Sequence, residues 1–470
     1  MILDNFKKWN TILGWFAFFV ALVTYALTVE PTVSFWDAGE YILTSSKLQV
    51  GHPPGAPLFQ MLGAFFSVFS TDPSQIGWLM NMMSAFSSAF TILFMFWSIT
   101  MLLQKIVGST DSNTSTQNIT ILGSALVGSL AFTFTDSFWF NAVETEVYAM
   151  ATLIMSVMFY LGLRWEQDMK KPRGNKWLIL ISFITGLSFG VHFMGLLTIP
   201  AIGLIYFFKN YQTITTKNFI IANTVVVAIL LFIFKLLAPN ILLYFSTLEI
   251  FFVNSIGLPF NSGSIIAGII LIAVFYFSIK LTRQRGFKHL NTGVLCIAFL
   301  LIGFSTWLML PIRANANVII NENNPSNARE LLAYYNLEQY PKTHLFYGPQ
   351  FTDMYSGLDE NNPYVDDKPK YERDFEKGKY IIVNDYKNNN QNYNSTKDNA
   401  PYPGVSYYRL KMVDIDGEVT YSASKVVNFE GLEIINVFPN PSNGNFSVTI
   451  QSSVDIEITL IMYDALGKLV

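Results

Sequence analysis

Cysteine is nearly missing. Cys296 stands alone among 470 residues, which excludes an internal disulfide and a cysteine-rich metal site and leaves the redox compartment unread. Charge is scarce too: Asp, Glu, Lys and Arg make up 13% of the chain, against about 25% in an average soluble domain. With a mean hydropathy of +0.35, a single soluble domain is excluded. No excess of positive charge exists to serve a polyanion, since the formal net charge is −3; a basic nucleic-acid binder is excluded as well. The four histidines, His52, His192, His289 and His344, lie far apart and lack the paired spacing of metal-binding helices, so no metal is demanded. A Gly-rich phosphate cradle is also missing, which argues against a nucleotide-binding loop.

What the chain has is apolar length and aromatic content, 51% hydrophobic and 16% aromatic. A helical span needs about 20 mostly apolar residues, and the sequence offers nine such stretches: 9–29, 78–104, 120–136, 147–163, 177–191, 193–208, 218–238, 262–281 and 291–311. The first has too long an apolar run for a secretory signal and is read as an uncleaved anchor. Fourteen Lys and Arg fall on one set of connecting loops, while the opposite short loops carry only Lys47. Positive charge stays on the cytoplasmic side, so the amino terminus is expected inside and everything after Pro311 outside. The near-neutral total hides a split there: 16 basic against 12 acidic residues up to Pro311, and 14 against 21 beyond it.

The outer loops collect Glu30, Asp37, Glu40, Asp72, Asp136, Glu144, Glu146 and Glu249. Acids contribute little to orientation, so a site handling protons or a cationic transition state is one reason for their enrichment. The longest outer loop, 30–77, carries Asp37 and Glu40 on one face of a helical turn, between Trp36 and Tyr41, whose rings suit the headgroup level. Residues 58–70 are apolar but too short to span, and are expected to lie along the interface. Asp37 and Glu40 also have the spacing of a helix-capping pair, a reading compatible with a chemical one.

The stretch Trp36-Asp37-Ala38-Gly39-Glu40-Tyr41, with Gly51-His52-Pro53-Pro54-Gly55-Ala56-Pro57, resembles the hallmark of the transmembrane protein 260 family, relatives of protein O-mannosyltransferases among the membrane glycosyltransferases of GT-C fold. The run Phe138-Trp139-Phe140-Asn141-Ala142-Val143-Glu144-Thr145-Glu146-Val147-Tyr148 and the run from Gly186 to His192 are similar to further motifs of that family, and Asn324 to Tyr380 resembles its outer extension. The resemblance covers about residues 1–385. It implies an α-helical polytopic GT-C-like domain over 1–311, with about nine transmembrane helices, and a carboxylate of the first outer loop as catalytic base. By position that carboxylate is Asp37, with Glu40 second. It also leaves a divalent ion on outer carboxylates as an option.

Transfer of a sugar from a polyprenyl phosphate to a hydroxyl needs a base for the acceptor proton and donors where phosphate charge grows. Arg313 and Lys235 are the cationic candidates, although Lys235 has the alternative of snorkelling to the headgroups. Glu144 and Glu146, at the mouth of the fourth span, and His192, inside an apolar stretch, are candidate substrate or proton contacts because ionisable groups there are costly. His52, between Gly and Pro, either touches substrate or shapes the turn.

Residues 312–383 read as an outer α/β extension, beginning with a capped helix from Ser326 through Asn327 to Tyr335 and a strand at Leu345-Phe346-Tyr347. The Asn-rich stretch 384–399 has the composition of a linker. Over 400–470 the period changes to two, with a hairpin turning at Asp414–Gly417 and a break at Pro439–Gly444, which predicts a small all-β sandwich. Val437 to Phe446, followed by Tyr463 to Lys468, strongly resembles the type A carboxy-terminal sorting domain of type IX secretion cargo. That implies a truncated sorting domain or an adhesion module, in a bacterium with an outer membrane.

The expected function is a multi-pass inner-membrane glycosyltransferase facing the periplasm, moving a sugar, mannose first, from a polyprenyl-phosphate carrier to Ser or Thr of an exported protein. Its partners are then membrane lipid, the lipid-linked donor and the acceptor protein, with no nucleic acid. One alternative keeps the fold and changes the acceptor to a lipid or cell-wall glycan. Another is a transporter without covalent chemistry, which would place charges near the midplane and show repeats, neither of which the sequence has. A third makes the membrane part an anchor for the β tail.

Overall fold

The computed structural model describes residues 5–107, 114–340, 354–358, 364–388, 390–393, 404–408, 411–413, 419–421, 424–429, 432–438 and 447–452. They form two compact units: Met1–Lys342 with Asp367–Tyr386, and Thr343–Asp366 with Lys387–Val470.

The first unit is helical. In order it contains α1 (Phe6–Thr28), two short helices α2 (Ala38–Ser46) and α3 (Pro57–Ser67), the long α4 (Ile76–Val107), α5 (Ser115–Thr133), α6 (Asp136–Ala142) and α7 (Val147–Asp168). Next come α8 (Lys176–Ser188), α9 (Thr198–Asn210), α10 (Thr216–Leu231), α11 (Ala238–Ile250), α12 (Ser262–Gln284), α13 (Lys288–Phe304), α14 (Met309–Ala314) and α15 (Ala328–Tyr335). Seven helices among the described residues are long and apolar enough to cross a membrane, or eight if α5 and α6, bent by 67°, count as one. The chain is a multi-pass membrane protein.

The expected count of about nine is not reached among the described residues. Each predicted span falls on a helix, but the one at 177–191 becomes α8, whose 13 residues reach about 20 Å at 1.5 Å per residue, short of a bilayer core of about 30 Å. Its apolar run continues past Ser188, and the backbone does not: His192 caps a 3₁₀ turn, Phe193–Leu197, before α9 begins. The span predicted at 218–238 instead runs on as a 40-residue helix, Thr216–Ser255, through π-helical turns at Phe232–Leu237 and Phe251–Ser255. At about 60 Å it is twice as long as the hydrocarbon core.

Helices without a hydrophobic drive in lipid associate through small residues that let backbones approach. In α1 and α4 these are Ala17 and Ala21 against Ala85 and Ala89, all fully buried. In α8 and α13 they are glycines: a Cβ on Gly186 would stand 2.0 Å from the Leu300 oxygen, and one on Gly303 2.3 Å from the Phe183 oxygen. Gly186→Val is therefore expected to force the pair apart at an overpacking cost of about 1–3 kcal/mol, read as a lower melting temperature in detergent. Gly123→Val, whose added Cβ meets nothing within 4 Å, is the control that should melt like the parent.

After α14 the chain returns to the loop between α2 and α3. Val50 and Asn321 form a parallel bridge, with the Val50 amide on the Ile320 oxygen at 3.0 Å and the Glu322 amide on the Val50 oxygen at 3.0 Å. The helix expected from Ser326 starts at Asn327, whose side chain accepts from the Arg329 and Glu330 amides. Strands β2 (Tyr364–Asp374) and β3 (Lys379–Asn388), after β1 (Met354–Leu358), pair with each other; residues 367–386 of this pair belong to the first unit.

In the second unit β4 (Asn390–Tyr393) pairs antiparallel with β1, so residues 384–388 and 390–393 of the stretch expected to be a linker are in strands. The pair β5 (Gly404–Tyr408) and β8 (Lys425–Phe429) encloses β6 (Lys411–Val413) and β7 (Val419–Tyr421), which also pair, consistent with a hairpin turning between Val413 and Val419. β9 (Leu432–Phe438) pairs with β10 (Ser447–Ser452). Among the described residues every sheet has two strands, and no stacking of these ladders into the expected sandwich is seen among them. Alternation marks strands and faces, but it does not say which ladders stack on one another. The predicted strand at 345–347 and the alternation from Val454 to Met462 lie outside the described residues.

Candidate active site

The loop between α1 and α2 turns sharply at Trp36, whose φ of 62° lies in the left-handed region, costly for a bulky L-residue by about 1–2 kcal/mol. Strain of this kind gathers at functional sites. The turn delivers Asp37 to the N-cap of α2, yet its side chain makes no cap hydrogen bond and remains 60% exposed. One turn on, Glu40 reaches across to the α2–α3 loop. Its Oε1 accepts the His52 amide at 2.6 Å and its Oε2 meets His52 Nδ1 at 2.9 Å. This grip needs a glycine at 51, where a Cβ would stand 2.6 Å from Glu40 Oε1.

The other face of the imidazole turns to Asp37, with Nε2 to Oδ2 at 3.9 Å. That is an ion-pair distance and not a hydrogen bond, so Nε2 keeps its capacity to donate to an incoming oxygen. The hydrogen bond to Glu40 is the main reason the His52 pKa is raised; burial opposes it, and the charges of Glu40 and Asp37 add to it. Glu40 is held below the usual carboxylate range, because its bonds to His52 outweigh the burial that would raise it.

The opposite wall is the turn between α6 and α7. Glu144 and Glu146 are buried there. Burial, then the negative charges of Asp37 and Glu144, push Glu146 up to about 7, against partial relief from the Val147 and Asp37 amides. Burial also raises Glu144, offset by the Ser34 hydroxyl beside it. Tyr41 lies between the walls, its ring 5.9 Å from His52 and 5.3 Å from Phe59, and burial chiefly raises its pKa. Beyond it the Tyr148 ring meets His192 edge-on at 5.3 Å. Burial lowers the His192 pKa, and its Nδ1 accepts the Met194 amide at 3.1 Å, which assigns the proton of the neutral ring to Nε2.

Two residues that sequence reasoning passed over hold these walls together. Asn81 of α4, fully buried, donates to the Glu30 and Thr32 oxygens at 2.7 and 2.8 Å and accepts from the Thr145 hydroxyl at 2.5 Å. A lone amide in an apolar span was the available signal. Tyr334 of α15, also buried, donates to the Gly51 oxygen at 2.6 Å, a contact separated by nearly the whole helical unit in sequence.

Asp37, Glu40, His52, Glu144, Glu146 and, through Tyr148, His192 are thus brought to one region. Lys235 and Arg313 are not brought onto these carboxylates. The Lys235 ammonium lies over the Phe234 ring at 4.7 Å. Arg313 donates to the Leu48 and Lys47 oxygens at 2.5 and 3.1 Å, placing a cation at the carboxyl end of α2, where the helix dipole and open carbonyls favour one. Among the described residues no three His, Cys, Asp or Glu side chains converge as a metal site.

Residues 37–215 match the family model of the protein O-mannosyl-transferase TMEM260 N-terminal domain, and 341–403 match a family of unknown function, DUF8416. The chain is similar to the protein O-mannosyl-transferase tmem260 of Dictyostelium discoideum, 25% identical over 147 residues, 31% of this chain and 16% of the relative. It is also similar to protein O-mannosyl-transferase TMEM260 of Mus musculus, 22% identical over 164 residues, 35% of this chain and 21% of the relative. The matched part spans about a fifth or less of either relative's length. No solved structure matches the chain.

Proposed function

We propose that the chain is a membrane glycosyltransferase that moves a sugar, mannose by likeness to its relatives, from a polyprenyl-phosphate donor to a Ser or Thr hydroxyl of an exported protein. The observation that carries this reading is the exposed Asp37 carboxylate, free of capping duty and facing His52, inside the segment that matches the family model. The acceptor oxygen attacks the anomeric carbon and the bond from that carbon to the phosphate oxygen breaks. The bonding pair leaves with the polyprenyl phosphate, and the hydroxyl proton passes to Asp37. His52, whose pKa the hydrogen bond to Glu40 raises, is the donor for the departing phosphate where charge develops. Arg313 supports the site from behind by fixing the loop carbonyls, a different task from the phosphate contact expected of it.

The basic loops support an inside amino terminus and a carboxylate cluster on the outer, periplasmic face of a bacterial inner membrane. Likeness of 437–468 to a type IX sorting domain supports the same cellular setting. The test is transfer by purified protein in liposomes from a panel of radiolabelled polyprenyl-phosphate sugars. Label entering an acceptor protein supports the reading, label entering lipid or glycan moves it to the alternative acceptor, and no transfer from any donor rejects it.

Glu146 gives the reaction a pH signature. When ionised it adds a negative charge to the wall that receives the acceptor proton and favours that transfer, so the rate should rise with pH through about 7. In Glu146→Gln this inflection should vanish from the rate profile. The same substitution reports on stability. An acid whose folded pKa exceeds its unfolded value costs nothing at pH 4 and its full penalty above the folded value, so Glu146→Gln should stabilise the protein by on the order of 2 kcal/mol at pH 8 and leave its melting temperature at pH 4 unchanged.

A further inference from the structure

At the other end of the helices lies a cavity that glycosyl transfer does not use. It has a volume of about 810 Å³ and is walled by α7, α8, α9, α10 and α13, within the roughly 300–1,000 Å³ of small-molecule sites. Trp165 on its wall stands 19 residues along α7 from Glu146, about 28 Å from the carboxylates. Its inner part is aliphatic, including Ile199, Ile233 and Leu300, while Lys170, Asn175, Asn210, Asn218 and His289 line the end toward the loops. No Asp or Glu lines it. Of the two acids near the end of α7, Glu166 is paired with Lys105 and Lys209 at 2.6 and 2.8 Å and Asp168 with Lys171 at 3.0 Å, whereas Lys170 makes no ion pair among the described residues.

A second observation points to an occupant. Trp165 is 6% exposed, stacks on Tyr206 at 5.6 Å, and its buried indole Nε1–H has no hydrogen-bond partner among the described residues. An orphan donor at membrane depth is costly, and an acceptor oxygen entering the cavity would satisfy it. In a bilayer a hydrocarbon chain gains no transfer energy by moving from lipid into an apolar slot. Selectivity must therefore come from the polar end.

We propose that this cavity binds one acyl chain of an anionic glycerophospholipid from the leaflet that meets the lysine-rich loops, with its phosphate at Lys170 and His289. A polyprenyl phosphate with its headgroup there would hold its phosphate a full span from Asp37, out of reach of the chemistry. The site stands independently of the glycosyl-transfer reading.

Gly293 provides the test, because it lines the cavity and a Cβ added there meets nothing within 4 Å. Gly293→Phe fills the slot, and a leucine at the same position fills less of it should the larger ring prevent folding. Full-length protein is exchanged into nanodiscs of phosphatidylcholine doped with phosphatidylglycerol of matched chains, then released for native mass spectrometry. The expected result is retained phosphatidylglycerol in preference to phosphatidylcholine, reduced at least tenfold by Gly293→Phe or Gly293→Leu. Lys170→Gln with His289→Gln should abolish the preference while the fold persists by circular dichroism. Equal retention of both lipids by the parent, retention unaffected by the Gly293 variants, or displacement of phosphatidylglycerol by added polyprenyl phosphate would each overturn the assignment.

Discussion

Asp37→Asn is expected to lower glycosyl transfer about a thousandfold, within the range of roughly 10²–10⁴ contributed by a positioned general base, while the protein inserts and melts as the parent does. Three features separate this outcome from a folding defect. The Asp37 side chain makes no cap hydrogen bond, it is 60% exposed, and asparagine keeps its shape. What the amide cannot do is accept the hydroxyl proton. Single-turnover transfer from the lipid-linked donor, with thermal melts of both proteins in the same detergent, measures the two quantities side by side. Near-parental turnover by Asp37→Asn would remove the base from the scheme and, with it, the reason for placing chemistry in this loop.

Glu40→Gln should have the next largest effect, about a hundredfold, by a different route. Glu40 holds both the backbone and the ring of His52. A glutamine oxygen can still take the amide, but its NH₂ then points at Nδ1 and pairs only with a neutral ring whose Nδ1 accepts, which disfavours the imidazolium. The imidazole loses the anion that raised its pKa. Activity that needs the imidazolium falls as pH rises through the His52 value, and without Glu40 that fall should begin at lower pH. The stability supplied by this pair is present below the unfolded histidine pKa of about 6.5 and is lost as pH rises through the folded value; Glu40→Gln should therefore destabilise the protein more at pH 6 than at pH 9. A rate–pH profile with an alkaline limb unmoved by the substitution would show that His52 titrates free of Glu40.

Local signals were legible. Apolar runs located the helices and the change of period located strands, and of the acids assigned to outer loops Asp37, Glu40, Glu144 and Glu146 come to one region, whereas Glu249 lies within α11 on Ser264 and Tyr380. Signals that depend on distance were not. Nothing near Arg313 says that its guanidinium meets the carbonyls of Lys47 and Leu48, and nothing near Tyr334 points to Gly51. The early end of α8 was hidden because the apolar run continues past Ser188 while the backbone does not: the Gly190 oxygen turns to accept the Leu58 and Phe59 amides at 2.7 and 3.1 Å. These two amides are among the orphan donors at the start of α3, and their need for an acceptor outweighed the propensity of residues 189–192 to extend a helix. Alternation placed strands in the tail but not the stacking of their ladders, which is decided by partners far away in sequence.

The fastening of the loop around His52 by Arg313, the 320–322 segment and Tyr334 has a bearing on biosynthesis. The ribosome delivers Asp37, Glu40 and His52 first and their fasteners some 260–280 residues later, so at about 5–20 residues per second the loop spends on the order of ten seconds or longer waiting for them. Through that interval the nascent polypeptide is anchored in the bilayer with an unfinished pocket, and a premature stop codon between α12 and Arg313 would leave a protein whose spans through α12 are made but whose His52 loop lacks these fasteners.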